Sequence, residues 1–168
     1  MEAAFGEGVA ISEDGTTVAV GSPGINTVQV FRLFEGSWQQ EGSVITKASL
    51  GSDAKFGFRV GHSSDGNALA VAAPFADGTS MDGTIIVDAG AIYVYDWDPS
   101  INDWDEGMAV AYGTSAQQKL GSKGVAITID PTNALLHAVD QYNVRNSFEV
   151  CSFSFLCCIE CVFFRIRI

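Results

Sequence analysis

Residues 5–23 read FGEGVAISEDGTTVAVGSP, and the same pattern returns without a gap at residues 56–74 as FGFRVGHSSDGNALAVAAP. Nine of the nineteen positions are identical, and each copy holds two short apolar runs separated by an Asp-Gly pair. An Asp-Gly pair favours a tight hairpin turn, because it tolerates the positive φ that such a turn requires. The sequence therefore predicts pairs of antiparallel strands that recur after 51 residues.

The similarity continues on the C-terminal side of both copies. Residues 28–31 (VQVF) match residues 92–95 (IYVY), after a loop at residues 75–89 that only the second copy has. A weaker third copy opens at Leu120, where residues 124–127 (GVAI) repeat residues 8–11. Residues 5 to about 143 are thus successive, decaying copies of one unit.

Each full copy has four strand-like runs in about 50 residues, which is typical of a β-propeller blade. In the first copy these runs are residues 9–12, 17–21, 28–34 and 38–45. The sequence predicts an all-β chain, a β-propeller fragment of about two and a half four-stranded blades that begin near residues 5, 56 and 120.

Two and a half blades are too few to close a ring, because propellers typically have 4 to 8. An open stack leaves strand edges unpaired and one apolar face uncovered. We therefore expect the chain to be a fragment of a longer propeller, or to associate with other blades.

Composition narrows the classes of partner. The chain has 168 residues, 47% of them hydrophobic, and 18 glycines, which fits a folded β protein with frequent turns. Its net charge of −11 repels phosphate backbones and anionic membrane surfaces, so nucleic acid is not expected as a partner. Residues 1–20 show no secretory signal pattern, and we expect membrane attachment only through a missing segment.

The repeat resembles the FG-GAP family, whose copies build the propeller of integrin α-subunits and of many bacterial and eukaryotic surface proteins. The resemblance rests on the Phe-Gly pairs at residues 5–6 and 56–57 and on the closing segment GAIYVY at residues 90–95. It also rests on GSP at residues 21–23 and AAP at residues 72–74, in place of Gly-Ala-Pro. The family implies a propeller, a secreted or cell-surface parent, and binding of a protein or glycan ligand.

Calcium binding does not carry over from the family to the repeat loops. Members that bind Ca²⁺ use an acidic DxDxDG loop, because Ca²⁺ takes six or more oxygen ligands. This chain has only SEDG at residues 12–15 and SSDG at residues 63–66. The segment WQQEG at residues 38–42 is similar to calcium-free members, and we expect no cofactor.

The segment DWDPSINDWDE at residues 96–106 has oxygen-bearing side chains at alternate positions, like the start of an EF-hand loop. Asp96, Asp98, Asn102 and Asp103 are its weak cation-binding candidates. The glycine and the bidentate Glu of a true EF-hand loop are missing. By alignment the segment is the hairpin between the third and fourth strands, and a solvated hairpin is the favoured interpretation.

The enlarged loop at residues 75–89 is not required by the blade. Long loops on repeat scaffolds often bind partners, which makes Asp77, Asp82 and Asp88 candidates for a binding loop. Its glycines and small polar residues are equally compatible with a neutral insertion.

Catalysis is not predicted. His62, Ser63 and Asp65 are too close along one strand to converge as a triad, because adjacent strand residues point to opposite faces. His137 has no acidic partner at a suitable spacing, and no phosphate-binding glycine loop is present.

The tail at residues 144–168 differs from the repeat in composition. It contains all four cysteines and many phenylalanines. Its apolar part is too short for a membrane span, and its cysteine spacing is a poor match to a zinc site. We interpret it as atypical sequence that is not native propeller sequence, such as an out-of-frame or intron-derived translation.

The predicted function is therefore a non-catalytic propeller segment for protein or glycan binding and adhesion, part of a larger surface or secreted protein. One alternative is the scaffold of a propeller-containing hydrolase whose active site lies outside this chain. Another is a truncated gene product without activity.

Overall fold

A computed structural model describes residues 3–51, 53–129, 134–142 and 145–150. The described chain is all-β, which confirms the predicted class; its one short helical element is a 3₁₀ turn at Ala48–Leu50. In these ranges no helix is long and apolar enough to cross a membrane.

The strands follow the predicted runs closely. In chain order the described strands are β1 Gly8–Ile11, β2 Thr17–Ser22, β3 Thr27–Phe34, β4 Ser37–Gln40, β5 Ile45–Thr46, β6 Arg59–His62, β7 Ala68–Ala73, β8 Gly78–Thr79, β9 Ile85–Ile86, β10 Ala91–Asp98, β11 Asp103–Tyr112, β12 Gly124–Ile129, β13 Ala134–Val139 and β14 Arg145–Val150.

These strands form three antiparallel sheets and a separate two-stranded ribbon. The first sheet has the order β1-β2-β3-β4, and β5 also pairs with β3. The second sheet has the order β11-β10-β7-β6, and the third has the order β12-β13-β14. The ribbon consists of β8 and β9.

The strand registers reproduce the sequence repeat. Val9 pairs with Val20 in the first sheet, and Val60 pairs with Val71 in the second, so both partners are displaced by the same 51 residues. Matching sequence positions therefore occupy matching sheet positions, as the gapless alignment requires.

The serine and aspartate that the first two copies share build the turn between the first two strands of each copy. Ser12 Oγ donates to Asp14 Oδ1 at 2.6 Å and accepts from the N–H of Thr17 at 3.0 Å. The hydrogen bond from Ser12 leads the interactions that lower the pKa of Asp14 to about 2. In the second copy Ser63 Oγ makes the same bond to Asp65, also at 2.6 Å. The Ser-x-Asp-Gly pattern is therefore a structural turn.

The second sheet lies between the other two. Along β7, side chains alternate between the faces: Leu69, Val71 and Ala73 pack in a cluster with the first sheet, while the alanines between them pack with the third. Both faces of this sheet are buried, which explains why β7 is an uninterrupted apolar run.

Glycines allow the first two sheets to approach at backbone distance. A Cβ built on Gly21 would lie 1.9 Å from the carbonyl oxygen of Gly57, and one on Gly8 would lie 2.6 Å from the same oxygen. Gly61 repeats this between the second and third sheets, 2.7 Å from the carbonyl oxygen of Val125. The sheets can stack this closely only because these positions lack side chains.

The fourth predicted run of the first copy is not one strand. It divides into β4 and β5, so the first sheet has five strands where four were expected. The chain leaves the sheet near Gly42, whose φ is +72° and where a Cβ would be 2.9 Å from the Trp104 ring. A tryptophan of the second sheet thus occupies the space beside the break.

The third sheet includes sequence beyond the boundary that the repeat placed near residue 143. Strand β14, Arg145–Val150, pairs along its whole length with β13. Of the tail predicted to be atypical, residues 144 and 151–168 lie outside the described residues.

Candidate functional site

The cation candidates lie where the sequence placed them, in the hairpin between β10 and β11. Asp98 is paired with Asp103 across the hairpin, and Asp96 is paired with Asp105. Asn102, in the turn, has a φ of +53°, a left-handed conformation that asparagine tolerates better than most residues.

Backbone N–H groups already occupy two of the carboxylates. Asp98 Oδ1 accepts from the N–H of Ser100 at 2.8 Å, and hydrogen bonds from the Ser100 side chain and backbone lower the pKa of Asp98. Asp103 Oδ1 accepts from the N–H of Ser43 at 2.7 Å, and this bond is the largest cause that lowers its pKa. Asp103 therefore ties the second sheet to the chain break of the first.

The pKa of Asp96 shifts in the opposite direction from those of Asp98 and Asp103, because the Asp96 carboxyl is partly buried. Burial raises its pKa, and the nearby Asp105 and Asp65 carboxylates raise it further. Within the described residues no group of three or more His, Cys, Asp or Glu side chains could hold a metal ion. The geometry of the hairpin is that of a turn held by its own carboxylates.

The enlarged loop of the second copy forms the β8–β9 ribbon. Asp82 lies in its tip, where hydrogen bonds from Ser80 and Thr84 lower the Asp82 pKa to about 2. Asp77 and Asp88 close its base, since Asp77 Oδ1 accepts from the N–H of Asp88 at 2.9 Å. The three candidate aspartates thus shape one projecting hairpin and do not converge on a common point.

The ribbon exposes an apolar surface that the sequence analysis missed. Met81, Ile85 and Val87 are all solvent-exposed on this short element. The prediction considered only the aspartates of the loop, although the hydrophobic residues between them were visible in the sequence. We call Met81, Ile85 and Val87 the ribbon surface.

The residues considered for a triad do not form one. His62 Nδ1 lies 3.2 Å from the carbonyl oxygen of Ala68. A carbonyl oxygen can only accept, so this hydrogen bond requires the imidazole proton on Nδ1. Burial lowers the pKa of His62 to about 4, and its Nε2 is buried without a hydrogen-bond partner. The Ser63 hydroxyl is committed to Asp65 in the turn. His137 lies elsewhere, in β13, opposite Ala126 of β12.

A shallow cleft of about 220 Å³ lies between the outer parts of the first and second sheets. Ser43, Ile45, Tyr95 and Trp104 are among its lining residues. The cleft results from the strand break beside Trp104, which no pattern in the sequence signals. It lacks a cluster of chemically reactive groups among the residues that line it.

Comparison with known proteins adds no relative. Neither the models of known protein families nor the curated proteins contain a match to this chain.

Proposed function

We propose that this chain is a segment of a β-propeller of the FG-GAP type, which serves non-catalytic binding of a protein or glycan ligand. The observation that supports the architecture is the repeated stacking of its sheets. Core positions on the face that the first sheet turns to the second recur on the face that the second turns to the third.

One pair of repeat-equivalent residues illustrates this equivalence. Ala19 of the first sheet packs in the cluster shared with the second sheet. Its counterpart after 51 residues, Ala70, packs in the cluster shared with the third. One rule of stacking applied sheet after sheet is the construction principle of propellers and other repeat proteins.

The ribbon surface is the best candidate for ligand contact. It projects from the scaffold on an insertion that only the second copy has, and it combines three exposed apolar side chains with the acidic residues of the loop. Apolar anchors surrounded by polar groups are typical of protein interfaces, so a protein ligand fits better than a glycan.

The proposal is tested by screening the full chain against arrays of surface-protein ectodomains and of glycans. Ligands found in the screen are titrated against the double variant Met81→Ser/Ile85→Ser. We expect the double variant to bind at least about tenfold more weakly, since two anchors of a small interface contribute more than about 1.4 kcal/mol.

The matched control is Ile101→Ser, which changes an equally exposed isoleucine in the β10–β11 hairpin. It should leave the affinity unchanged. The absence of any ligand on both arrays, or equal affinity for wild type and the double variant, would contradict the proposed role of the ribbon surface.

A further inference from the structure

The outer face of the first sheet, which points away from the second sheet, is mostly apolar and uncovered, with Gln29 and Gln40 as its polar members. Its exposed members are Val9 and Ile11 of β1 and the cross-strand pair Leu33 and Trp38 of β3 and β4. Partly buried Val18 and Val20 fill the space between them in β2. Contiguous apolar patches of this kind on a folded protein indicate an interaction surface. We call it the open face.

The residues that match Val9 and Ile11 in the other sheets are buried or partly buried. Val9 is 60% exposed, whereas Val60, its counterpart in the second sheet, is 8% exposed because the first sheet covers it. Ile11 is 59% exposed, whereas Ile127, its counterpart in the third sheet, is 4% exposed under the second sheet. Among the described residues, no sheet covers the open face, whereas a sheet covers the matching face of the second and third sheets.

The first residue of each repeat gives the same result independently. Phe56 is completely buried between the first and second sheets, and Leu120 is almost completely buried between the second and third. Phe5 is 60% exposed. The next residue is in each case a glycine with φ between +81° and +90°, so the backbone is shaped alike in all three copies. Phe5 thus occupies the repeat position at which Phe56 and Leu120 are buried, but it is itself exposed.

At the opposite end of the stack, the outer face of the third sheet also has exposed residues. Ala126 and Thr128 of β12 lie on the face of the third sheet that points away from the second, and both are exposed. Ala10, the counterpart of Ala126 in the first sheet, packs against the buried cluster shared with the second sheet. We call this the end face. It occupies the same place in the repeat as the surface that receives the next sheet within the chain, with His137 and Val139 at the positions of Ala19 and Gly21.

We propose that a second copy of this chain docks its end face onto the open face, in a head-to-tail contact at the same repeat position as the two sheet-sheet contacts within each copy, but with a wider spacing that His137 and Val139 require. This inference rests on the stacked architecture put forward above, but not on ligand binding by the ribbon. A second copy is the partner that fits, because it presents the equivalent of the surface that already covers Val60 and Ile127. Two copies together supply six sheets, within the range of about 4 to 8 that closes a propeller ring.

The test uses the full chain in a reducing buffer, so that the four cysteines cannot cross-link copies. Molar mass is measured by light scattering over a range of protein concentrations. We expect wild type to form dimers or larger assemblies, and Val9→Lys/Ile11→Lys to be monomeric because its open face is blocked. Ala126→Lys/Thr128→Lys should also be monomeric, because its end face is blocked.

Mixing the two blocked variants decides the geometry. Each retains one intact face, so an equimolar mixture should form a one-to-one complex. Association between two open faces predicts instead that the end-face variant still self-associates and that mixing has no effect, which would overturn the proposal. A wild type that is monomeric at all concentrations would also overturn it.

Charge and folding are controlled separately. The added lysines reduce the net negative charge of −11, so a loss of association cannot result from increased repulsion. Met81→Lys/Ile85→Lys, on the ribbon surface, adds the same charge and should assemble like wild type. Circular dichroism and thermal melting verify that each variant is folded. If both blocked variants lose the fold, the milder uncharged changes Val9→Ser and Thr128→Gln take their place.

Discussion

Replacement of Gly21 by alanine probes the contact between the first two sheets directly. Gly21 lies in β2 and does not have a positive φ, so the strand itself accepts an alanine without strain. The added Cβ would lie 1.9 Å from the carbonyl oxygen of Gly57, about 1.5 Å inside ordinary van der Waals contact at 3.4 Å. Gly21 is paired within β2, and the Gly57 N–H donates to the carbonyl oxygen of Ala72, so both backbones are held in place and the clash is relieved only if the sheets separate.

The expected cost is about 3 kcal/mol, the upper end of the range for overpacking a buried site, because no flexible side chain can move away. In the absence of the contact the same substitution would stabilise the strand by about 0.5–1 kcal/mol, since alanine loses less backbone entropy than glycine on folding. The contact therefore predicts that Gly21→Ala lowers the free energy of unfolding, whereas its absence predicts that the substitution raises it. With a urea m-value of about 2 kcal/mol/M, the loss lowers the unfolding midpoint by about 1.5 M.

The assay is urea unfolding followed by tryptophan fluorescence, because Trp104 lies at the junction of the first two sheets. The control is Gly124→Ala, where a Cβ would meet nothing within 4 Å. The control should be as stable as wild type or slightly more stable. A Gly21→Ala variant that unfolds at or above the wild-type midpoint would refute the backbone-distance stacking of the two sheets.

Three further predictions follow from particular residues. Phe56→Ala should lower the free energy of unfolding by about 3–5 kcal/mol, because Phe56 is a fully buried aromatic. Phe5→Ala should change it by less than about 0.5 kcal/mol in the monomer, because Phe5 is exposed. Equal effects of the two variants in urea unfolding would contradict the different burial of the two residues. Burial lowers the pKa of His62 from 6.5 to about 4, so the unfolded chain binds a proton that the folded chain does not between these values. Stability should therefore decline as the pH falls from about 6.5 towards 4, and His62→Gln should remove part of this decline between pH 7 and 5; an unchanged slope would be the contrary result. Millimolar Ca²⁺ should leave the melting temperature unchanged, since the hairpin carboxylates are bonded to backbone N–H groups, and a clear upward shift would show that a site exists.

Part of the candidate site could be predicted because it depends on local sequence. The turn aspartates and the hairpin at residues 96–106 lie where the pattern placed them, since a turn is specified by the few residues that form it. The exposed surface around Met81 and the cleft beside Trp104 were not predicted. Their existence depends on which parts of the sheets other sheets cover.

By itself the sequence determined the all-β class, the strand pairs and the equivalence of the first two copies, because strand periodicity and turn chemistry are encoded over short distances. Tertiary structure alone decided which apolar residues are buried. Val9 and Val60 are the same residue in the same repeat position, yet one is exposed and the other buried. The physical reason is that a side chain on a sheet face is buried only if a second surface packs against it. In this chain such a surface covers Val60 but not Val9.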